Sequence, residues 1–172
     1  MIIALLGYMG SGKSTLGKPL AQSLGYKFLD LDHFIEQQQG QFITDLFNSQ
    51  GEIQFRSMER TAVETICRTH HNTVLALGGG TPCYGDTMSF LVQHPNVLTV
   101  YLKVSVHLLY TRLIVDQSKR PLIAHISQSQ LSEFIAKHVF ERSRFYNLAQ
   151  LIVTTDNKSI ETLISEISEE LN

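Results

Sequence analysis

The 172-residue chain has no surplus of basic charge: 14 Lys and Arg stand against 16 Asp and Glu, a net charge of −2. A nucleic-acid binder ordinarily carries such a surplus, so that class is not expected, and any anion site must be built locally from a few placed cations. Cysteine is scarce. Cys67 and Cys83 fall in no metal-binding or disulfide spacing, which fits two reduced thiols in a cytoplasmic protein. The seven histidines match no metal spacing either. No apolar run approaches the length of a membrane span. The apolar start, residues 1–6, lacks a basic leader and a cleavage site and runs straight into glycine, so it reads as a strand and not as a secretion signal. Internal repeats and low-complexity tracts are missing too. What remains, at 43% hydrophobic and 17% charged residues, is one globular domain over residues 1–172.

Short apolar runs of strand type alternate with longer segments of helical period. Strands are predicted at residues 2–6, 26–29, 73–77, 97–102 and 151–154. Helices are predicted at 13–24, at 86–93 with Asp86 as its cap, at 106–115 and at 128–148, with two or three more between 33 and 69. The C-terminal helix puts Ile160, Leu163, Ile164, Ile167 and Leu171 on one stripe, a core-facing pattern. Residues 116–127 have no clear period and read as a mobile loop. This alternation predicts an α/β three-layer sandwich, a five-stranded parallel sheet flanked by helices. Ligands on such sheets sit at the carboxyl ends of the strands. Three predicted strand ends carry unusual residues, Gly7 to Ser14, Asp30 with Asp32, and Gly78-Gly79-Gly80, which argues for one shared site.

The first of these, Gly7-Tyr8-Met9-Gly10-Ser11-Gly12-Lys13-Ser14, is a full G-x-x-x-x-G-K-[ST] pattern between a strand and a helix, the context that motif requires. Its glycines let backbone N–H groups turn inward around phosphates, and the helix N-terminus adds favourable partial charge. Gly10, Ser11, Gly12, Lys13, Ser14 and the following Thr15 are thus expected to bind ATP. Lys13 reaches the β- and γ-phosphates, and Ser14 places its hydroxyl on Mg²⁺. The guanine-reading N-K-x-D motif of GTPases is only half present, at Asn157-Lys158. Motor ATPases end an apolar strand in a Walker-B Asp, whereas the strand over residues 74–77 ends in three glycines. The metal-side carboxylates must then come from Asp30 and Asp32, spaced to face one crevice.

Taken in order, residues 7–15, Asp30-Leu31-Asp32, Gly51-Glu52-x-x-Phe55-Arg56-x-x-Glu59, Gly78-Gly79-Gly80, Arg120-Pro121-Leu122 and Arg142-x-x-x-Tyr146 resemble the shikimate kinase family over nearly the whole chain. The resemblance implies a nucleoside-monophosphate-kinase-like fold with substrate-binding helices at about 32–61 and a mobile lid at about 113–125. It implies transfer of the ATP γ-phosphate to the 3-hydroxyl of shikimate, a step towards chorismate and the aromatic amino acids, by a cytoplasmic monomer. In that reading Arg56 and Arg142 clamp the shikimate carboxylate, which suits the bidentate donor geometry of guanidinium. Asp32 binds the hydroxyls and acts as general base, and Asp30 lies on the Mg²⁺ side. Gly79 and Gly80 admit backbone N–H groups to the substrate, while Glu59 steadies Arg56 from three residues away on a helix. Arg120 is the lid cation that stabilises the transferring phosphoryl group and also contacts ATP. Arg112 aligns with a family residue that stacks on adenine.

Three departures from the family pattern stand out. The lid reads Leu122-Ile123 where Leu-Leu is usual. Arg144 replaces a proline two residues after Arg142, so it is a second candidate for the carboxylate. Residues 155–158 read Thr-Asp-Asn-Lys, which blocks any transfer of individual adenine contacts. Two rival readings remain open: a related small-molecule kinase, such as one for gluconate, and a nucleotide-dependent switch without turnover.

Overall fold

The computed structural model describes residues 1–120 and 122–171; Pro121 of the lid motif and Asn172 lie outside the described residues. Five strands, β1 (Ile2–Leu6), β2 (Lys27–Asp30), β3 (Thr73–Ala76), β4 (Val97–Lys103) and β5 (Leu151–Thr154), form one parallel sheet in the order β2-β3-β1-β4-β5. Seven α-helices accompany them: α1 (Lys13–Leu24), α2 (Leu31–Gln39), α3 (Ile43–Thr69), α4 (Thr87–Gln93), α5 (Val106–Val115), α6 (Gln128–Tyr146) and α7 (Ile160–Glu169).

The layering follows from the two-residue period of β1. Ile2, Ala4 and Leu6 pack with Leu31 and Ile35 of α2, Val63 and Ile66 of α3, and Leu91 of α4. Ile3 and Leu5 turn the other way, onto Leu16 and Leu20 of α1 and Leu163 and Ile167 of α7. All five β1 residues are buried, as a central parallel strand requires. The stripe predicted for α7 packs into this second cluster. Full burial of each such aliphatic side chain contributes about 1.5–3 kcal/mol, so the sheet is held from both sides. Serine side chains cap two of the helices: Ser105 Oγ accepts from Leu108 N, and Ser159 Oγ accepts from Thr162 N.

Several boundaries differ from the expectation. β2 runs one residue further, to Asp30, and α2 begins at once. Asp30 is the cap of α2, accepting from Asp32 N at 3.1 Å, so Asp32 stands in the first helical turn rather than at a strand end. Gly51, at φ 78° and ψ 171°, breaks α3 into two segments. Helix α6 stops at Tyr146. Asp86 stands before α4 but makes no capping bond; its carboxylate instead accepts from Arg60 Nε at 2.8 Å and Nη2 at 3.2 Å. The stretch read as a structureless loop contains a short 3₁₀ turn, Gln117–Lys119. Ile123 is buried, and the Gln117 amide donates to the carbonyls of Ile123 and Ile126.

Strands β1 and β3 are neighbours, yet the chain leaves β1 towards α1 on one face and β3 towards α4 on the other. Diverging connections open a crevice at the carboxyl ends of such strands. The phosphate-loop sequence and the glycine triplet flank that crevice, with Asp30 at the end of β2 beside them.

Candidate active site

A cleft of about 640 Å³ lies there, bordered by residues 10–15, Asp30, Asp32, Gly78, Gly79, Arg112 and Arg120. The loop that enters α1 can bend as it does only because Gly10 (φ 79°) and Gly12 (φ 91°) adopt left-handed backbone. Lys13 folds back over it, its Nζ donating to the carbonyls of Gly7 at 2.9 Å and Tyr8 at 3.1 Å. Burial pulls its pKa down to about 8 against the attraction of Asp32 and Asp30, with Arg120 and Arg142 pulling the same way as burial. Ser14 Oγ donates to Asp30 Oδ2 at 3.0 Å, joining the hydroxyl and the carboxylate expected on the metal side. Among the described residues no group of three or more His, Cys, Asp or Glu gathers to hold a metal. A hydroxyl, one carboxylate and nucleotide phosphates form the donor set that Mg²⁺, which keeps several waters, ordinarily takes.

The glycine triplet organises the acceptor side. None of its members has positive φ, so conformational freedom is not the reason for glycine here. Room is the reason at Gly78 and Gly80. A Cβ on Gly78 would stand 2.9 Å from Glu59 Oε1 and 3.3 Å from Asp32 Oδ1, and one on Gly80 2.8 Å from both Nη1 and Nη2 of Arg56. One on Gly79 would stand 3.6 Å from Arg142 Nη1, an ordinary contact that puts this arginine beside the same turn. Gly78 and Gly80 thus admit side chains that the sequence nominated for the acceptor.

Those side chains are firmly held. Arg56 Nη1 donates to Glu59 Oε2 at 2.6 Å, and Nη2 lies 3.4 Å from Glu52 Oε1. Its guanidinium carbon is 4.3 Å from the centre of the Tyr84 ring, and the Tyr84 hydroxyl donates to Glu52 at 2.6 Å. Glu59 is almost fully buried and accepts a second bond from Thr81 Oγ1. Asp32 is pushed up to about 6, first by burial and then by the like charges of Asp30 and Glu59, with Lys13 opposing. Tyr146, fully buried, donates to the Gly79 carbonyl at 2.6 Å. The Nε atoms of Arg56 and Arg120 are buried without a hydrogen-bond partner.

Two candidates can be placed more closely. Arg112 borders the cleft, and its Nη1 donates to the carbonyl of Gly10 at 3.0 Å, which braces the phosphate loop. Arg144 is exposed on α6 with its guanidinium carbon 4.7 Å from the centre of the Phe145 ring, while Arg142 is the one beside Gly79. Tyr84 and Thr81 were not nominated; neither stands in a motif, and only the fold brings them to Glu52, Arg56 and Glu59.

The shikimate kinase family profile matches residues 9–172. The shikimate kinase of Flavobacterium johnsoniae is 44% identical over 165 residues, 96% of this chain and 95% of that protein. The crystal structure of shikimate kinase from Bacteroides thetaiotaomicron superposes with a TM-score of 0.90 at 35% identity, covering 99% of this chain and 98% of that one. Shikimate kinase from Acinetobacter baumannii, solved in complex with shikimate, gives 0.84 at 32% identity, covering 99% of this chain and 92% of that one. A deoxyadenosine kinase from M. mycoides, at 18% identity and a TM-score of 0.59, shares the fold alone. On the profile match and these identities, the chain belongs to the shikimate kinase family.

Proposed function

We propose that the chain moves the γ-phosphoryl group of ATP to the 3-hydroxyl of shikimate. The observation that carries this reading is the glycine triplet, which seats Asp32, Arg142 and Arg56 around one turn directly beside the phosphate loop. Arg56 and Arg142 hold the substrate carboxylate, with charge-assisted bonds of roughly 1.5–3 kcal/mol each. Asp32 accepts the 3-hydroxyl. As that oxygen attacks the γ-phosphorus, the bond to the β,γ-bridging oxygen breaks, ADP leaves, and the hydroxyl proton passes to Asp32. A carboxylate raised to about 6 is well placed to take it near neutrality. Lys13 leaves the carbonyls of Gly7 and Tyr8 for the β- and γ-phosphates, and Arg120 meets the charge of the transferring group.

Ser14 and Asp30 would hold Mg²⁺ with the nucleotide, and the ion would neutralise phosphate charge. Residues 113–125 act as a lid that excludes water and limits wasteful ATP hydrolysis, and residues 32–61 as the acceptor-binding helices. The protein works as a monomer, as the family resemblance implies, and in the cytoplasm, a location that its two unpaired thiols suit. Phosphorus NMR of the product tests the chemistry. ATP, Mg²⁺ and shikimate should yield a monoester on the 3-oxygen, and chelation of the metal should stop its formation. Phosphate on another oxygen would contradict the proposed seating of the ring.

A further inference from the structure

Tyr8 stands in the phosphate loop, yet its side chain leaves the nucleotide side altogether. It is 2% exposed and packs with Leu109 and Leu113 of α5, Leu131 and Ile135 of α6, and Ile123. Only its backbone carbonyl touches the transfer machinery, accepting from Lys13 Nζ at 3.1 Å until the lysine turns to the phosphates. Its ring and its hydroxyl are engaged elsewhere. The guanidinium carbon of Arg142 lies 5.6 Å from the ring centre, and the hydroxyl meets His138 Nδ1 at 3.0 Å. His138 and Arg142 are one helical turn apart on α6, so the same helix face brings both to one ring. His138 is in turn packed edge-on to Tyr8, at 5.7 Å between ring centres, and tilted against Phe134 at 5.2 Å. Burial pushes the phenol up to about 12, and burial with the charge of Arg142 lowers the pKa of His138. A protonated hydroxyl thus shares its bond with a neutral imidazole.

The two substrate arginines are consequently fixed by different means. Arg56 is gripped by Glu59 and Glu52. Arg142 bonds to the side chain of Tyr146 and rests on the Tyr8 ring, a face contact that orients a guanidinium and leaves its remaining in-plane N–H donors for a carboxylate. We propose that Tyr8 and His138 are positioning residues for the acceptor: the Tyr8 ring, oriented by its bond to His138, is the platform that aims Arg142 at the substrate carboxylate. The inference rests on the reading of Arg142 as a carboxylate ligand.

A double-mutant cycle on the full-length enzyme tests it, with KM for shikimate and for ATP as readouts. Tyr8→Leu should raise the shikimate KM roughly three- to tenfold, the range of one cation–aromatic contact, and leave the ATP KM within about twofold. In an Arg142→Ala background the same change should add nothing. His138→Leu should act like a weaker Tyr8→Leu, and His138→Asn, whose amide can accept from or donate to the phenol near the place of Nδ1, should restore the parent value. A Tyr8→Leu defect that multiplies with the Arg142→Ala defect would overturn the platform while leaving Arg142 as a ligand. An Arg142→Ala variant with the parent shikimate KM would overturn the carboxylate reading and the platform together. Should Tyr8→Leu fail to fold, Tyr8→Phe and His138→Leu decide: a raised shikimate KM supports the platform, and unchanged values in both refute it.

Discussion

A Cβ on Gly80 would stand 2.8 Å from both terminal nitrogens of Arg56. The guanidinium cannot swing aside freely, because Glu59 holds Nη1 at 2.6 Å and the Tyr84 ring covers its face. Gly80→Ala should therefore fold and bind ATP normally while displacing Arg56. Steady-state kinetics should show the shikimate KM rising roughly ten- to hundredfold, the loss of one charge-assisted contact. An unchanged shikimate KM would mean that Arg56 does not touch the acceptor.

Asp32 trades stability for function. Its folded-state value of about 6 lies above the ordinary 3.8, so the folded chain binds this proton more tightly than the unfolded one. Ionised Asp32 thus opposes folding in full above about pH 6, and the opposition is relieved as the pH falls from 6 towards 4. Asp32→Asn should stabilise the protein at pH 7 by roughly 1–2 kcal/mol, with no such gain near pH 4, and lower kcat about 100-fold or more. Thermal melts at the two pH values check the first part. A variant less stable than the parent at pH 7 would refute it.

The pH–rate profile should be bell-shaped. In kcat/KM for shikimate, activity should fall below about pH 6 as Asp32 takes up a proton. In kcat/KM for ATP it should fall above about pH 8 as the buried ammonium of Lys13 is lost. The two groups interact, so the limbs belong to the pair. Bound phosphates favour the charged lysine, and the alkaline limb should move to higher pH in kcat at saturating ATP. A limb that stays in place would argue against contact between Lys13 and the phosphates.

Tyr146→Phe removes the hydroxyl that donates to the Gly79 carbonyl at 2.6 Å inside the core. Leaving that carbonyl without its donor should destabilise the protein by about 1–3 kcal/mol. Because Gly79 sits beside Arg142, the shikimate KM should rise as well, with the ATP KM nearly unchanged. Denaturant unfolding and initial rates measure both effects.

Much of this was readable before any coordinates. Parallel strands buried on both faces leave continuous apolar runs, and the period of α7 announced its buried stripe. The phosphate loop was legible because its chemistry demands glycine, Lys13 and Ser14 in one contiguous stretch. What stayed hidden depends on contacts between distant segments. The triplet at residues 78–80 was legible as glycine, but its reason, room at Gly78 and Gly80 for Glu59, Asp32 and Arg56, needs α2 and α3 in place. The bond of Arg112 to the Gly10 carbonyl, between segments far apart in sequence, has no local signal either. The start of α2 was misjudged because Asp30 closes a strand and caps a helix at once. Nothing local marks His138, which matters only because α6 carries it to Tyr8 across 130 residues of sequence.

The most direct test of the account is an acceptor screen. Initial rates of ADP release are measured with ATP and Mg²⁺ alone, and then with shikimate, gluconate or AMP added in turn. The account predicts strong stimulation by shikimate and little above background hydrolysis with the other two. No stimulation by shikimate, or stronger stimulation by gluconate or AMP, would contradict it.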